Sequence, residues 1–414
     1  MTQALSPQRE RWLLLTLAGV QFTHILDFMI MMPLGPQLTR MFGISDAQFG
    51  FLVSAYTLAA GASGLLASVY IDRFDRKRLL LVLYILFGLS TLACGLAGSY
   101  LGLMAARVSA GVFGGVLSAL SQTIVGDVIP FERRGRATAV VMTSFSVSTV
   151  AGVPLGLFLA AHLSWHAPFF GIAGLCAVLT VTAYGSLPRL AGHLSHHAGR
   201  SALTSLRQVL ADANHLRAFV FSGLMMFAGF TVIPYITIYM RTNVGMTEAE
   251  VPSIYLAGGV ATLFTARWVG QLTDRLGKVG TFRRAAVLLL LPLAAITSLQ
   301  PLPLGLILGV STLFFVCMSG RMIPGMAIVT SAAQPLLRGT FMTLNAAVQS
   351  AAMGLASIVG GLIISRDAQG LVQHYWMAGL LGAVSSLAAA VMAGYLTLHG
   401  QGETPRGGEQ GKLD

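Results

Sequence analysis

Asp27 is the one acidic residue lying well inside an apolar stretch of this chain. In hydrocarbon a carboxylate must be paired, hydrated or protonated, so by default it marks an ion or substrate path. His24 and Thr23 precede it by three and four residues, which puts all three on one helical face. Burial and a neighbouring cation act on such a group in opposite senses. A carboxylate balanced between them can load a proton on one side of a membrane and release it on the other; the plainer alternative is a cap on a neighbouring helix. Arg107 lies some six residues into another apolar stretch, a depth of ~10 Å against ~12 Å for Asp27. A charge pair between two helices is the simplest way to keep both in a membrane, whether for proton chemistry or for structure alone. Arg321 sits deeper in a third stretch and has no acidic partner visible in any nearby span. It could meet an anionic substrate or helix carbonyls, and the sequence leaves both open.

The composition dictates what holds these residues. Of 414 residues, 55% are apolar and 10% charged, where soluble domains carry about 25% charged. Apolar runs near 12–35, 50–71, 79–98, 101–128, 137–160, 167–187, 218–240, 252–273, 285–300, 303–329, 340–364 and 375–397 make twelve candidate spans in two groups of six. At ~20 residues each they use ~240 residues, leaving short loops and no room for a separate soluble domain. Helices are the open-chain way to satisfy backbone hydrogen bonds in lipid, so the expected fold class is an all-α polytopic membrane protein of twelve transmembrane helices. The first run contains Asp27 and is too long for a signal-peptide core, so it reads as a retained helix.

With both termini inside, twenty of the 26 Lys and Arg fall on that side; Arg40, Arg241 and Arg366 fall opposite, and Arg107, Arg267 and Arg321 within spans. That asymmetry predicts cytoplasmic termini in a cell inner membrane and accounts for the net charge of +11 without nucleic acid. The expected organisation is a six-helix bundle over 1–187, a cytoplasmic linker over 188–217, a second bundle over 218–398 and a disordered tail over 399–414. His193, His196 and His197 in the linker read as a solvated basic loop rather than a metal site. Cys94, Cys176 and Cys317 have no CxxC spacing. The loops contain no Walker, nucleophile or metal-ligand motif, so neither an enzyme nor an ATP-driven pump is expected, and no cofactor or metal.

A shift of about 202 residues superimposes Asp72-Arg73 on Asp274-Arg275 and Gly152 on Gly354, and nearly superimposes Pro130 with Arg134-Gly135 on Pro335 with Arg338-Gly339. The two groups of six read as a duplication, and transporters of that kind place their substrate site between the halves near mid-membrane. Gly270-Gln-Leu-Thr-Asp274-Arg275-Leu-Gly277-Lys278 resembles the loop signature G-x-L-x-D-R-x-G-R/K of the major facilitator superfamily. The copy at Ser68-Val-Tyr-Ile-Asp72-Arg73-Phe-Asp75-Arg76-Lys77-Arg78 keeps the Asp-Arg and the basic run without the glycines. Arg107-xxx-Gly111-xxx-Gly115 resembles the superfamily's second motif. Gly152-Val-Pro154-Leu-Gly156 resembles the antiporter motif G-P-x-x-G-G, with Val153 inserted and one closing glycine, in the manner of sugar-efflux-like permeases.

The resemblance, covering about residues 10–398, is to twelve-span drug/proton antiporters. It implies a pseudo-symmetric pair of six-helix bundles and a proton-coupling arginine at Arg107. It also implies a gating charge network of Asp72, Arg73, Arg76 and Asp127, with Asp274, Arg275 and Lys278 as a weaker counterpart, and a span 5 segment at Gly152, Pro154 and Gly156 that faces the other half and limits leakage. Thr231, Tyr235 and Tyr239 recur every four residues and, with Tyr56, Arg321, Asn345 and Gln349, are candidate cavity walls; Tyr239 could equally anchor at the interface. The expected function is proton-coupled efflux of a small organic molecule or drug by alternating access, carried out by a monomer whose partners are its substrate and the bilayer. An importer built on the same architecture is the closest alternative, and a non-transporting sensor a more distant one.

Overall fold

The computed structural model describes residues 7–71, 74–129, 131–187 and 202–399. α1 (Pro7–Ile30) passes through a turn at 31–34 into α2 (Gly35–Phe42). Pro33 and Pro36 interrupt the ladder there because neither has an N–H to donate. Gly43 ends α2 at φ 60°, in the left-handed region that glycine enters without steric cost. Ser45 then opens α3 (Asp46–Tyr70) with a capping box closed by Gln48. Asp75 caps α4 (Arg76–Leu96) and Ser99 caps α5 (Tyr100–Val128). The fifth span is composite: α6 (Phe131–Val147), a π-turn at Ser148–Gly152, and α7 (Val153–His162), with Pro154 near its start. α8 (Ala167–Ser186) completes the first six.

In the second half a short helix, α9 (Ala202–Ala211), precedes α10 (Ala213–Phe230). Pro234 forces a 3-10 turn at Ile233–Tyr235 before α11 (Ile236–Thr242). α12 (Val251–Leu276), α13 (Lys278–Thr297), α14 (Leu304–Ala332), α15 (Arg338–Ile363) and α16 (Tyr375–Met392) follow. A small antiparallel hairpin, β1 (Ser365–Arg366) and β2 (Val372–Gln373), joins the last two helices.

Eleven helices among the described residues are long and apolar enough to cross a membrane. α12, the eighth expected span, has the length but falls short in hydropathy, because Arg267 interrupts a stretch already diluted by Ser253, Thr262 and Thr265. Of the expected linker over 188–217, the 188–201 part lies outside the described residues, as do the three linker histidines. Its remainder is α9, with Val209 buried, followed by the first turn of the seventh span. Asp212 makes that early start, taking the N–H groups of Asn214 and His215 as helix cap. Residues 400–414 of the expected tail also lie outside the described residues.

Within the first half α3 packs on α5, α4 on α5 and α8, and α1 on α6 and α8; in the second, α10 packs on α15 and α16, and α14 on α12 and α13. Glu10 pairs with Arg133, and Asn214 bonds Thr397, so the starts of α1, α6 and α10 and the end of the described chain share one face, the near face. The halves meet where α3 runs along α15 and where the π-turn and α7 meet α12. Small residues set both seams: Gly61 faces Ser350, Gly354 faces Leu58, and Gly259 faces Val150. One apolar core runs through the first half and the far part of the second, while a separate core, including Phe221, Phe282, Phe341 and Ala393, fills the second half near the termini. The two halves are therefore joined through the far part of the bundle.

Candidate functional site

The site begins as a single bond between α1 and α5. Arg107 Nη1 donates to Asp27 Oδ2 at 2.8 Å and to the Asp27 carbonyl at 3.2 Å, and both side chains are 0% exposed. The ring of Tyr56, on α3, lies 4.4 Å beneath the guanidinium carbon. Glycines on α5 permit that approach: Gly111 lies against the Tyr56 carbonyl, Gly114 against the Tyr56 hydroxyl and His24, and Gly115 against Ala60. His24 meets Tyr56 edge-on at 6.0 Å and stacks on Phe87, while Thr23 bonds the Tyr84 hydroxyl at 2.9 Å. Asp27 Oδ1, Arg107 Nε and Nη2, and His24 Nδ1 are buried with no hydrogen-bond partner among the described residues. Leaving charged-group atoms unpaired is costly. The structure thus brings Asp27, Arg107 and His24 together and adds Tyr56, expected only as a cavity wall.

At the near face Arg76 Nε donates to Asp127 Oδ2 at 3.1 Å and Nη1 to the Ile71 carbonyl at 2.8 Å. Asp72 and Arg73 lie outside the described residues. The second half repeats the geometry with a weaker partner. Gly277, at φ 81°, breaks α12 from α13 and sends Lys278 Nζ to the Ser331 hydroxyl at 2.6 Å, a neutral group where the first half has a carboxylate. Asp274 and Arg275 are exposed.

The remaining expected wall residues lie inside the second bundle. Tyr235 donates to the Ser357 carbonyl and Tyr239 to the Leu299 carbonyl at 3.0 Å, and Thr231 is 0% exposed. Their four-residue spacing does not make one face, because the break around Pro234 leaves Thr231 in a turn, Tyr235 in the 3-10 turn and Tyr239 in α11. Arg321 is equally buried, with Nη2 on the Met225 carbonyl at 2.7 Å and Nη1 on Ser386 Oγ at 3.3 Å, so it pins α14 to α10 and α16. One of the two partners the sequence left open, a helix carbonyl, is thus in contact with it. Asn345 is buried, and half-buried Gln349 reaches Met326 Sδ at 3.6 Å. The span 5 segment borders the other half along α12, but its motif glycines do not point there. Cβ atoms on Gly152 and Gly156 would strike Leu26 and Ile30 of α1, flanking Asp27, while Thr149 and Val150 of the π-turn meet the other half at Gly259.

A family model described as the Major Facilitator Superfamily matches residues 17–357. The chain belongs to this superfamily. It is similar to the uncharacterised MFS-type transporter YtbD of Bacillus subtilis, 26% identical over 349 residues, 81% of this chain and 84% of that one. It is also similar to a chloramphenicol resistance protein of Streptomyces lividans, 24% identical over 363 residues, 86% and 89% of the two chains. Among solved structures it resembles a D-xylose-proton symporter, with TM-score 0.77 and 16% identity over 95% of this chain and 99% of that one. A bacterial homologue of the human lysosomal transporter Spinster gives TM-score 0.75, 15% identity and coverage of 94% and 97%. The chain is accordingly a multi-pass membrane transporter with the all-α facilitator fold, and not an enzyme.

Sequence reasoning missed the ion pairs that bind this transporter's halves at the far face. Arg366 Nε and Nη2 grip both oxygens of Asp46 at 2.8 Å, and Glu248 takes Arg40 at 3.1 Å and Gln37 at 3.3 Å across the seam. Arg241, of the same half as Glu248, joins at 3.4 Å. A usable signal existed: all three arginines left on that side are paired. The Asp46 hydrogen bonds hold the Arg366 guanidinium above its ordinary value. Around them lies a pocket of about 740 Å³ that includes Ile238. Exposed pairs contribute little, but a two-pronged grip on a buried carboxylate is stronger. Asp46→Ala is expected to speed far-side maleimide labelling of Ile238→Cys several-fold, and exchange of the two charges to restore the slow rate; equal rates in all three would show that the pair does not hold the seam.

Proposed function

We propose that this chain is a proton-coupled exporter of a small organic molecule, working by alternating access as a monomer in a bacterial-type cytoplasmic membrane with both termini inside. The buried Asp27–Arg107 pair carries the reading, because a titratable carboxylate held by one cation inside a membrane can trade that cation for a proton. The excess of basic residues at the near face supports the orientation. The chloramphenicol resistance relative supports efflux. In that orientation the halves are joined at the far face by Arg366–Asp46 and Arg40–Glu248, and the reading calls for a cavity that opens inward from this state. Substrate enters it while Asp27 is ionised and paired. After the seam opens outward, a proton from outside neutralises Asp27 as the substrate leaves. The Arg76–Asp127 pair, with Lys278–Ser331 as its weaker copy, belongs to the near-face gate that forms and breaks in the cycle. Protons are the coupling ion, no cofactor takes part, and neither nucleic acid nor a protein partner is required.

The test is proton movement in liposomes holding the purified protein, driven by a panel of cationic, neutral and anionic compounds with chloramphenicol as the neutral member. Proton flux opposite to substrate, falling to the level of empty liposomes in Asp27→Asn and retained in Asp27→Glu, is the expected result. Flux in the same direction as substrate would identify an importer. Undiminished coupled transport in Asp27→Asn would remove Asp27 from the mechanism.

A further inference from the structure

The ring beneath Arg107 is not an endpoint. Tyr56 stacks on Phe28 of α1 with centroids 5.4 Å apart and planes 25° from parallel, and Phe28 stacks on Phe230 of α10 at 5.9 Å and 24°. Tyr56 is buried, whereas Phe28 and Phe230 are half-buried. Phe230 belongs to the second half, at the last residue of α10 before the break that leads to Pro234. A continuous series of contacts therefore runs from the Asp27 carboxylate through the Arg107 guanidinium and the Tyr56 ring to Phe28, and across the seam to Phe230. We propose that Tyr56, backed by Phe28, is a positioning residue that relays the state of the Asp27–Arg107 pair to Phe230 and so to the opening of the halves. This inference rests on the proton-coupling reading given above.

The physical step is simple. While Asp27 is ionised, its bond to Nη1 fixes the guanidinium, and the fixed cation holds the electron-rich face of Tyr56. A proton on Asp27 removes the counter-charge, and the guanidinium, left on the Asp27 carbonyl and the ring, is held less firmly in place over Tyr56. Tyr56 cannot shift without moving Phe28, because the two rings are stacked. Phe28 in turn carries the contact to the other half, where the α10 break gives Phe230 room to follow. The titratable and charged groups around Asp27 are few: His24 on its own helix, Tyr56 of α3, Cys94 of α4, Arg107 of α5 and Cys176 of α8. None of these belongs to the second half, and the packed rings are the contact by which the pair reaches Phe230.

The test follows the seam directly and needs no substrate. Spin labels at Met41→Cys and Ala368→Cys, both exposed at the far face on opposite halves, report its opening in the purified full chain with Cys317 changed to alanine. In the otherwise native protein the ratio of open to closed populations is expected to change about tenfold between high and low pH, within the usual range of allosteric coupling. Asp27→Asn should abolish that change. Tyr56→Leu and Phe230→Leu should each flatten it, while Tyr56→Phe, which keeps the ring, should preserve it. Phe230→Leu, on the other half, guards against a Tyr56→Leu protein that fails to fold, judged by its elution as a single species. Retention of the full pH response in both leucine variants, with its loss in Asp27→Asn, overturns the relay while leaving proton coupling intact. A pH response that is absent from the native chain, or that persists in Asp27→Asn, overturns the relay together with the reading beneath it.

Discussion

Changing Arg107 to methionine should cost the folded protein about 3–5 kcal/mol, the range for removing one partner of a buried ion pair, and changing Asp27 to leucine should cost more. The asymmetry comes from what each variant strands. Without Arg107, the carboxylate can take up a proton and become neutral. Without Asp27, the guanidinium stays charged, since arginine is not deprotonated in proteins. Its Nε and Nη2 lack hydrogen-bond partners among the described residues, and no carboxylate would remain beside it to balance its charge, leaving the Tyr56 ring and the main-chain carbonyl at position 27 as its neighbours. The double variant Asp27→Leu with Arg107→Met replaces the pair by apolar groups of similar size, and should recover most of the lost stability. Denaturant unfolding of the four proteins in one detergent gives the coupling energy directly. Additive losses, with the double variant as unstable as the sum of the singles, would show that the pair does not act as a unit. Coupled transport should be absent from all three variants. A double variant that folds well but couples nothing would separate the chemistry of the pair from its structural part.

That pair could be read from the sequence because a charge in an apolar run must be compensated, and depth along two helices needs only arithmetic. The same rule failed at Arg321, whose partners are a main-chain carbonyl and a serine that carry no sequence signal. Periodicity located the spans but not their interruptions. Pro234 splits an apparent tyrosine face between a 3-10 turn and α11, and a π-turn at Ser148–Gly152 interrupts span 5, whose glycines face α1 although the segment borders the seam. The 202-residue offset read from Asp72-Arg73 and Asp274-Arg275 also carries Arg76 onto Lys278, yet it does not show that one meets a carboxylate and the other a hydroxyl. The Asp46–Arg366 grip joins positions 320 residues apart. Such a contact is fixed by how the halves dock, which no local pattern encodes.

The second large effect should come from a residue with no chemistry at all. A Cβ at Gly115 would lie 2.7 Å from Ala60 Cα and 2.8 Å from its carbonyl carbon, closer than real contacts allow. Those obstacles are backbone atoms of α3, so no rotamer change can relieve them. Gly115→Val must push α3 away from α5, and overpacking of this kind costs about 1–3 kcal/mol, here at the upper end because the backbone itself must move. Gly126, also on α5, has nothing within 4 Å of an added Cβ. Gly126→Ala should leave stability unchanged or raise it by a few tenths of a kcal/mol, since alanine is the better helix former. Thermal melting of both variants in the same detergent checks the contrast, and similar melting temperatures would mean that the α3–α5 approach is not tight. The consequence reaches the site. Arg107, Gly111 and Gly115 recur every four residues and so share a face of α5. Gly111 and Gly115 form the notch in which α3 seats, and the seating depth sets how closely the Tyr56 ring covers Arg107. An arginine followed by two glycines at helical spacing is therefore one device, a buried cation together with the clearance that lets an aromatic ring close over it.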